Sequence, residues 1–163
     1  MTTPTQANAP TSQKHRAKVL VVDDEVAMRE FEKTVLEELG HEVIEAANGT
    51  DAMARAREHR PDLALLDIKM PGLSGIDVCK QLRADPSTRD IRVIVVTGID
   101  ARAALEESLV AGADDFLQKP FDSLELAVRV RSMLRVRNIA DVHQRVEAYI
   151  KNMQMLRQPR QKP

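Results

Sequence analysis

Short runs of β-branched and other apolar residues alternate with longer helix-like stretches through most of the chain, and this alternation restricts the fold more than any other feature. Five helical stretches of 11 to 16 residues alternate with five strands, which indicates a parallel sheet covered by helices on both faces. We therefore predict a doubly wound, five-stranded α/β domain over residues 17–136. The predicted strands are 18–22, 42–46, 62–66, 91–96 and 114–118, and the predicted helices are 26–39, 49–59, 74–84, 101–111 and 121–136.

The segments outside this pattern have a different composition. Residues 1–16 are rich in Thr, Pro, Gln, Asn and Ser without apolar periodicity, which predicts a disordered leader, and residues 158–163 predict a disordered tail. The lone Cys79 excludes an internal disulfide and indicates a reducing compartment. The apolar runs are strand-sized and the amino terminus has no signal-peptide pattern, so we expect no association with a membrane.

The net charge of −1 conceals an uneven distribution of charge. Residues 19–128 carry a formal charge of −11, whereas residues 1–18 carry +3 and residues 129–163 carry +7. Much of the acidic surface can be explained as solvated carboxylates. With only four aromatic residues in the chain, base stacking is a poor explanation of the basic ends, and we expect no direct binding of nucleic acid.

Several polar residues lie where the predicted strands end. Asp23 and Asp24 follow the first strand, Asp67 the third, Thr97 the fourth and Lys119 the fifth. Ligands of open α/β sheets bind beyond the carboxyl ends of the strands. Each residue taken alone has an ordinary explanation, such as a helix cap, a strand-end hydroxyl or a surface lysine. Their placement at the same edge favours a shared site.

The residue types at this edge suit phosphoryl chemistry. Clustered carboxylates raise one another's pKa unless a cation neutralises them, and oxygen ligands favour Mg²⁺ or another hard divalent ion such as Mn²⁺. A divalent ion, a lysine and a hydroxyl can together hold a phosphoryl group. Because the chain has no nucleotide-binding loop, the phosphoryl group would arrive on a donor and be accepted by a carboxylate.

Four segments occur in the order and spacing of a known family: VLVVDDE at 19–25, LLDIKMPGLSGIDV at 65–78, VIVVTG at 93–98 and GADDFLQKPF at 112–121. With them the chain resembles the receiver domain of two-component response regulators, the CheY-like family. The resemblance covers about 120 residues. It implies a flavodoxin-like sheet with strand order 2-1-3-4-5 and a phosphorylated switch in the bacterial cytoplasm. Such a switch is not a turnover enzyme.

The resemblance also implies a role for each residue of the site. Asp67 matches the aspartate that accepts the phosphoryl group. Asp24 matches the direct Mg²⁺ ligand, Asp23 matches a neighbour that acts through water, and the backbone carbonyl of Lys69 matches the third protein ligand. The long Lys69 side chain also suggests an altered lifetime of the phosphoryl group.

Further matches concern the switch. Thr97 and Lys119 match the pair that contacts the phosphoryl oxygens, and Phe116 matches the aromatic residue that turns inward when the site is occupied. Pro120 matches a proline that is usually preceded by a cis peptide bond. Gly98 stands where Ala is commoner in the family.

The resemblance implies two kinds of partner. A sensor histidine kinase or a phosphotransfer protein would supply the phosphoryl group. A second copy of the chain could bind through helix 4, strand 5 and helix 5. Charges near that face, at Asp114, Asp115, Arg129 and Arg131, would then pair between subunits.

Beyond residue 137 the apolar residues follow a heptad pattern, which is typical of a helix that packs along one seam. No Gly or Pro separates this pattern from helix 5, so a single helix from 121 to 157 is one prediction. A coiled-coil dimer, a helix folded back on its own receiver and a frayed linker all remain open. The seam residues are Ile139, Val142, Val146, Tyr149, Met153 and Leu156.

Two forms of output are compatible with the sequence. The chain could act as a single-domain receiver that binds a partner protein, or as the input part of a longer regulator with an enzymatic or DNA-binding output. An aspartate-nucleophile phosphatase is disfavoured, because that chemistry requires an acid two residues after the nucleophile and Lys69 occupies this position.

Overall fold

The five predicted strands form one parallel sheet in the order β2-β1-β3-β4-β5, which confirms the predicted fold class and strand order. A computed structural model describes residues 16–98 and 101–157, so the predicted leader, apart from residue 16, and the predicted tail lie outside the described residues. The strands are β1 Lys18–Val22, β2 Glu42–Ala46, β3 Leu63–Asp67, β4 Arg92–Thr97 and β5 Asp115–Gln118. The helices are α1 Val26–Glu38, α2 Gly49–His59, α3 Gly75–Ala84, α4 Ala101–Ala111, α5 Ser123–Val136 and α6 Val142–Arg157.

The central strands are buried on both faces because alternate residues point to opposite sides of the sheet. Leu20 and Val22 pack with apolar residues of α2, α3 and α4, whereas Val19 and Val21 pack with apolar residues of α1 and α5. Each face therefore has its own hydrophobic core. This two-sided burial explains why β1 and β4 are continuous apolar runs rather than alternating ones.

Short polar residues fix where several helices begin. Asn48 accepts a hydrogen bond from the backbone N–H of the third residue of α2, and Asp122 does the same for α5. At α3, Ser74 and Asp77 form a reciprocal capping box. These caps satisfy backbone donors that have no partner within the helix.

The carboxyl-terminal segment folds back on the receiver instead of extending α5. Helix α5 ends at Val136, and α6 begins at Val142, where Asp141 accepts a hydrogen bond from the backbone N–H of Gln144 at 2.8 Å. Ile139 and Tyr149 pack against the core on the α1 and α5 side of the sheet. The structure therefore has two helices, α5 and α6, where the sequence also allowed a single helix from 121 to 157.

Gly75 lets α3 begin directly against the end of β3. A Cβ atom placed on Gly75 would lie 2.2 Å from the backbone oxygen of Asp67, far inside van der Waals contact. The N–H of Gly75 donates a 3.1 Å hydrogen bond to the carbonyl of Ile68. The loop that follows Asp67 is thus held by a backbone contact that no larger residue permits.

We expect the substitution Gly75→Ala to lower the free energy of unfolding by about 2–3 kcal/mol, because the new methyl group must displace the backbone of β3 or α3. Gly98→Ala is the matched control, since among the described residues a Cβ there meets only the Cβ of Lys119, at 3.9 Å. Urea denaturation of both variants measures the effect. Equal stability of the two variants would contradict the steric explanation.

Candidate functional site

The carboxyl edge of the sheet gathers four of the predicted site residues. Asp67 and Thr97 are the last residues of β3 and β4, and Asp23 and Lys119 each follow a strand by one residue. Asp67 and Thr97 are buried, with 6% and 0% of their surface exposed. The backbone N–H of Lys119 donates a 2.7 Å hydrogen bond to the carbonyl of Thr97, and the Lys119–Pro120 peptide bond is cis.

Three carboxylates converge at this edge. One oxygen from each of Asp23, Asp24 and Asp67 lies within 4.8 Å of the others. Asp23 is buried and accepts two hydrogen bonds: one from the backbone N–H of Glu25 at 2.8 Å and one from Lys119 Nζ at 2.9 Å. Asp24 is exposed to solvent, which leaves the cluster open on one side.

Lys119 is the cation that the structure places among these carboxylates. Its Nζ lies 2.9 Å from Asp23 Oδ2 and 3.5 Å from Asp67 Oδ1. Burial lowers the pKa of Lys119, but the hydrogen bond to Asp23 and the charge of Asp67 outweigh burial, so the pKa is raised. Lys119 therefore stays charged at neutral pH and bridges two of the three acids.

The pKa of Asp67 is raised to about 6. Burial is the main cause, and the neighbouring charge of Asp23 adds to it, while Lys119 acts in the opposite direction. One lysine is thus insufficient to offset the free-energy cost of bringing three carboxylates together at this edge. A second cation at this edge would lower that cost, and carboxylate oxygens are the ligands that Mg²⁺ binds. The residues present fit such an ion.

The aromatic residue of the predicted switch lies one strand away. Phe116 pairs with Val95 across β4 and β5. Its side chain is partly buried and packs against the core on the α2, α3 and α4 side. Lys69 is exposed in the loop after β3.

Comparison with known proteins identifies the family. The model of the response regulator receiver domain matches residues 19–131. The chain belongs to this receiver family. It is 42% identical over 133 residues to the response regulator PleD of Caulobacter vibrioides, covering 81% of this chain and 29% of PleD. It is 41% identical over 120 residues to the DNA-binding response regulator MtrA of Mycobacterium tuberculosis, covering 74% of this chain and 51% of MtrA.

Solved receiver structures agree with the fold. A CheY-like receiver domain from Methanospirillum hungatei matches with a TM-score of 0.71 and 30% identity, covering 75% of this chain and 96% of that one. A response regulator from Chloroflexus aurantiacus, described as putative, also gives 0.71, with 33% identity and coverage of 74% and 98%. The receiver thus spans nearly the whole of these solved chains, but about a third to a half of its curated relatives.

The charges near β5 pair within this receiver. Arg129 Nη1 lies 2.7 Å from Asp115 Oδ2, and Tyr149 of α6 donates a short hydrogen bond to the same oxygen. Asp114 is 2.9 Å from Arg83 and 3.5 Å from Arg92. Pairing of Asp114 and Asp115 between subunits stays a prediction, and within one chain both carboxylates already have basic partners.

Glu32 is a feature of the site region that the sequence interpretation missed. This residue of α1 is 1% exposed, and its pKa is raised to about 8 by burial and, secondarily, by the charge of Asp23. The signal was present in the sequence, since Glu32 is four residues after Met28 and four before Leu36, on the apolar stripe of α1. A carboxyl group on that stripe predicts a buried acid.

Among the described residues, no helix is long and apolar enough to span a membrane. This agrees with the strand-sized apolar runs of the sequence.

Glu32 makes the stability of the receiver depend on pH. Its carboxyl is protonated in the folded state up to pH 8 but ionises near 4.5 when unfolded, so the folded state binds the extra proton between these values and loses stability as the pH rises. In metal-free buffer between pH 6 and 8, we expect the free energy of unfolding of the wild type to fall by about 1.4 kcal/mol per pH unit more than that of Glu32→Gln.

Glu30→Gln, on the exposed side of the same helix, is the matched control. Urea denaturation at pH 5, 6, 7 and 8 measures all three proteins. If the free energy of unfolding of Glu32→Gln ran parallel to that of the wild type, the buried acid would not be responsible.

Proposed function

We propose that this receiver accepts a phosphoryl group on Asp67 from a sensor histidine kinase or a phosphotransfer protein. The observation that carries the proposal is the position of Asp67, which is buried at the end of β3 beside Asp23 and within 3.5 Å of Lys119. Membership of the receiver family supports it. The chain then acts as a switch rather than as a turnover enzyme.

The transfer is an in-line displacement at phosphorus. A carboxylate oxygen of Asp67 forms a bond to phosphorus while the bond between phosphorus and the donor nitrogen breaks. The electron pair of that bond stays on the imidazole of the donor, and the product is an acyl phosphate on Asp67. Asp67 must be ionised to react, which its pKa of about 6 permits at neutral pH.

Asp24 and Asp67, with the backbone carbonyl of Lys69, would hold Mg²⁺ or Mn²⁺, and Asp23 would act through water. When bound, the ion offsets the negative charge of the carboxylates and of the transferred group. Lys119 and the Thr97 hydroxyl would contact the phosphoryl oxygens. For Lys119 this means exchanging its contact with Asp67 Oδ1 for one with the new group.

The output begins with movement at β4 and β5. Phosphorylation replaces the single negative charge of the Asp67 carboxylate by the roughly 1.5 to 2 negative charges of a phosphoryl group, which attracts the Thr97 hydroxyl and leaves space that Phe116 can fill. This change alters the surface formed by α4, β5 and α5. The receiver could pass it to a partner protein, to a second copy of the chain or to an attached output domain. PleD and MtrA are longer than the receiver that they share with this chain, which is compatible with an attached output domain.

Acetyl phosphate with Mg²⁺ should label the chain once, at Asp67. We expect Asp67→Ala to abolish the labelling, because Asp23, the other buried acid in contact with Lys119, already accepts hydrogen bonds on both of its carboxylate oxygens. Asp90→Ala, which removes an exposed acid, should label like the wild type. Intact-protein mass spectrometry measures the product, and labelling of Asp67→Ala would refute the assignment.

Removal of divalent ions should also abolish labelling, because Lys119 alone does not offset the three carboxylates. The experiment adds a chelator to the labelling reaction and then restores Mg²⁺ in excess. Labelling that continued unchanged in the chelator would contradict the proposed role of the ion.

Lys69 is expected to shield the acyl phosphate from water, so Lys69→Asn should shorten its lifetime several-fold. Lys80→Asn, which changes an exposed lysine of α3, is the control. The rate of phosphate release from the labelled chain measures the effect. Equal rates in Lys69→Asn and the wild type would discard this role.

A further inference from the structure

A cavity of about 820 Å³ lies between the receiver and α6. One wall comes from α3, the start of β4 and the end of α4, and the other comes from the first two turns of α6. Arg92 and Asp114 stand at the amino ends of β4 and β5, so the cavity is at the opposite edge of the sheet from Asp67. Its volume suits a small organic molecule.

Arginines dominate the lining of this cavity. Among the described residues, Asp90 and Asp114 are the acids that line it. Arg137 pairs with Asp62, outside the cavity, at 3.2 Å, which leaves four arginines against two aspartates. The cavity therefore has a formal excess of two positive charges. The five lining arginines are Arg83, Arg89, Arg92, Arg137 and Arg145.

A single carboxylate serves three of these arginines. Asp114 is 2.9 Å from Arg83, 3.5 Å from Arg92 and 3.8 Å from Arg145, and none of these side chains is more than 24% exposed. Burial lowers the pKa of Arg92; the charge of Asp114 opposes this effect, and the charges of Arg145 and Arg83 add to it. Partly buried positive charge that one acid cannot neutralise is costly, and an anion in the cavity would lower that cost.

Two of the arginines have guanidinium donors available for such an anion. Arg145 makes one hydrogen bond with the described residues, from Nη1 to the carbonyl of Ile139 at 2.9 Å, out of the five N–H donors of a guanidinium group. The side chain of Arg89 is exposed and has no hydrogen bond or ion pair with a described residue. Guanidinium groups match the oxygens of a phosphate in bidentate geometry.

The terminal segments of the chain offer no acidic side chain to the cavity. Residues 1–15 and 158–163 contain basic residues but neither Asp nor Glu. A side chain that neutralises the arginines therefore does not come from these segments, which favours an anion from outside the chain.

The remaining part of the cavity wall is apolar. Leu109 of α4 and Val142 of α6 are both 62% exposed, and Val146 of α6 is 49% exposed. All three line the cavity. Inorganic phosphate alone would leave these side chains in water, whereas a ligand that also carries an apolar body would bury them.

We propose that the cavity between the receiver and α6 binds a small organic phosphate, meaning a phosphate ester with an aromatic or aliphatic body, and that this ligand holds α6 against the receiver. The phosphate contacts Arg89 and Arg145, and the body lies against Leu109, Val142 and Val146. The proposal does not rest on phosphorylation of Asp67.

The effect on α6 follows from where the two walls come from. None of the residues of α6 is fully buried, and an isolated helix of 16 residues is marginally stable in water, so α6 depends on its docking. A ligand that contacts both walls binds the docked state and not the undocked one. By mass action it increases the docked population.

The first experiment titrates the full chain with phenyl phosphate, inorganic phosphate and phenol in a buffer that contains a chelator. Amide chemical shifts measure binding. We expect phenyl phosphate to shift the amides of 112–114 and 140–146 to saturation, and to bind about tenfold more tightly than either fragment. Absence of saturable binding would overturn the proposal, and so would shifts confined to the edge at Asp67. Asp67→Ala should bind like the wild type.

Two pairs of variants test the two parts of the site. Arg89→Gln should weaken the binding of phenyl phosphate about tenfold, whereas Arg135→Gln, which removes an exposed arginine of α5 outside the cavity, should not. Leu109→Gln should weaken phenyl phosphate but not inorganic phosphate, and Val110→Gln, next to it but outside the cavity, should change neither. Equal effects within either pair would overturn that part of the site.

Hydrogen exchange tests the consequence for α6. At saturating phenyl phosphate we expect slower exchange of the amides of 142–157, with the amides of β1 and β3 as the internal reference. Arg89→Gln at the same concentration of phenyl phosphate should show less slowing than Arg135→Gln. Saturable binding in the cavity without slower exchange in α6 would overturn the claim that the ligand holds α6.

Discussion

The repulsion among Asp23, Asp24 and Asp67 is the physical constraint on which the rest of this receiver depends. Parallel strands bring their carboxyl ends to one edge, so acids that are far apart in sequence become neighbours. Lys119, placed on the same edge by β5, offsets part of the repulsion through contacts with Asp23 and Asp67. Burial, followed by the remaining repulsion from Asp23, raises the pKa of Asp67. An edge with this imbalance has an electrostatic preference for a further cation.

The sequence predicted those parts of the fold and of the site that depend on local patterns of residues. The alternation of β-branched runs and helices predicted the sheet, because burial on both faces leaves an unmistakable run of apolar residues such as Val93–Val96. Strand-end placement then put Asp67, Thr97 and Lys119 at one edge. Glu32 was missed because its burial depends on packing between elements, although its position on the stripe of α1 was visible.

The sequence does not determine the break between α5 and α6, for a different reason. Residues 137–141 contain neither Gly nor Pro, and a heptad stripe has the same sequence whether it packs on its own domain or on another chain. The decisive contacts are side-chain hydrogen bonds, from Tyr149 to Asp115 and from Arg157 to Glu125. Contacts between residues more than 30 positions apart leave no periodic signal in a sequence.

The same contacts of α6 show where part of the unevenly distributed charge of the chain is paired. The basic carboxyl-terminal segment lies against acids of the receiver, with Arg145 near Asp114 at 3.8 Å and Arg157 bound to Glu125. The positive and negative regions therefore neutralise each other inside one molecule. Attraction of this kind weakens with salt, because the contact to Arg157 is partly exposed.

Asp114 gives α6 a fixed point of attachment. Its carboxylate is shared by Arg83, Arg92 and Arg145, which join the end of α3, the start of β4 and the first turn of α6. The 16 residues of α6 extend about 24 Å from this cluster. Because Arg157 pairs with Glu125 at the other end, α6 is anchored to the receiver by an ion pair near each of its two ends.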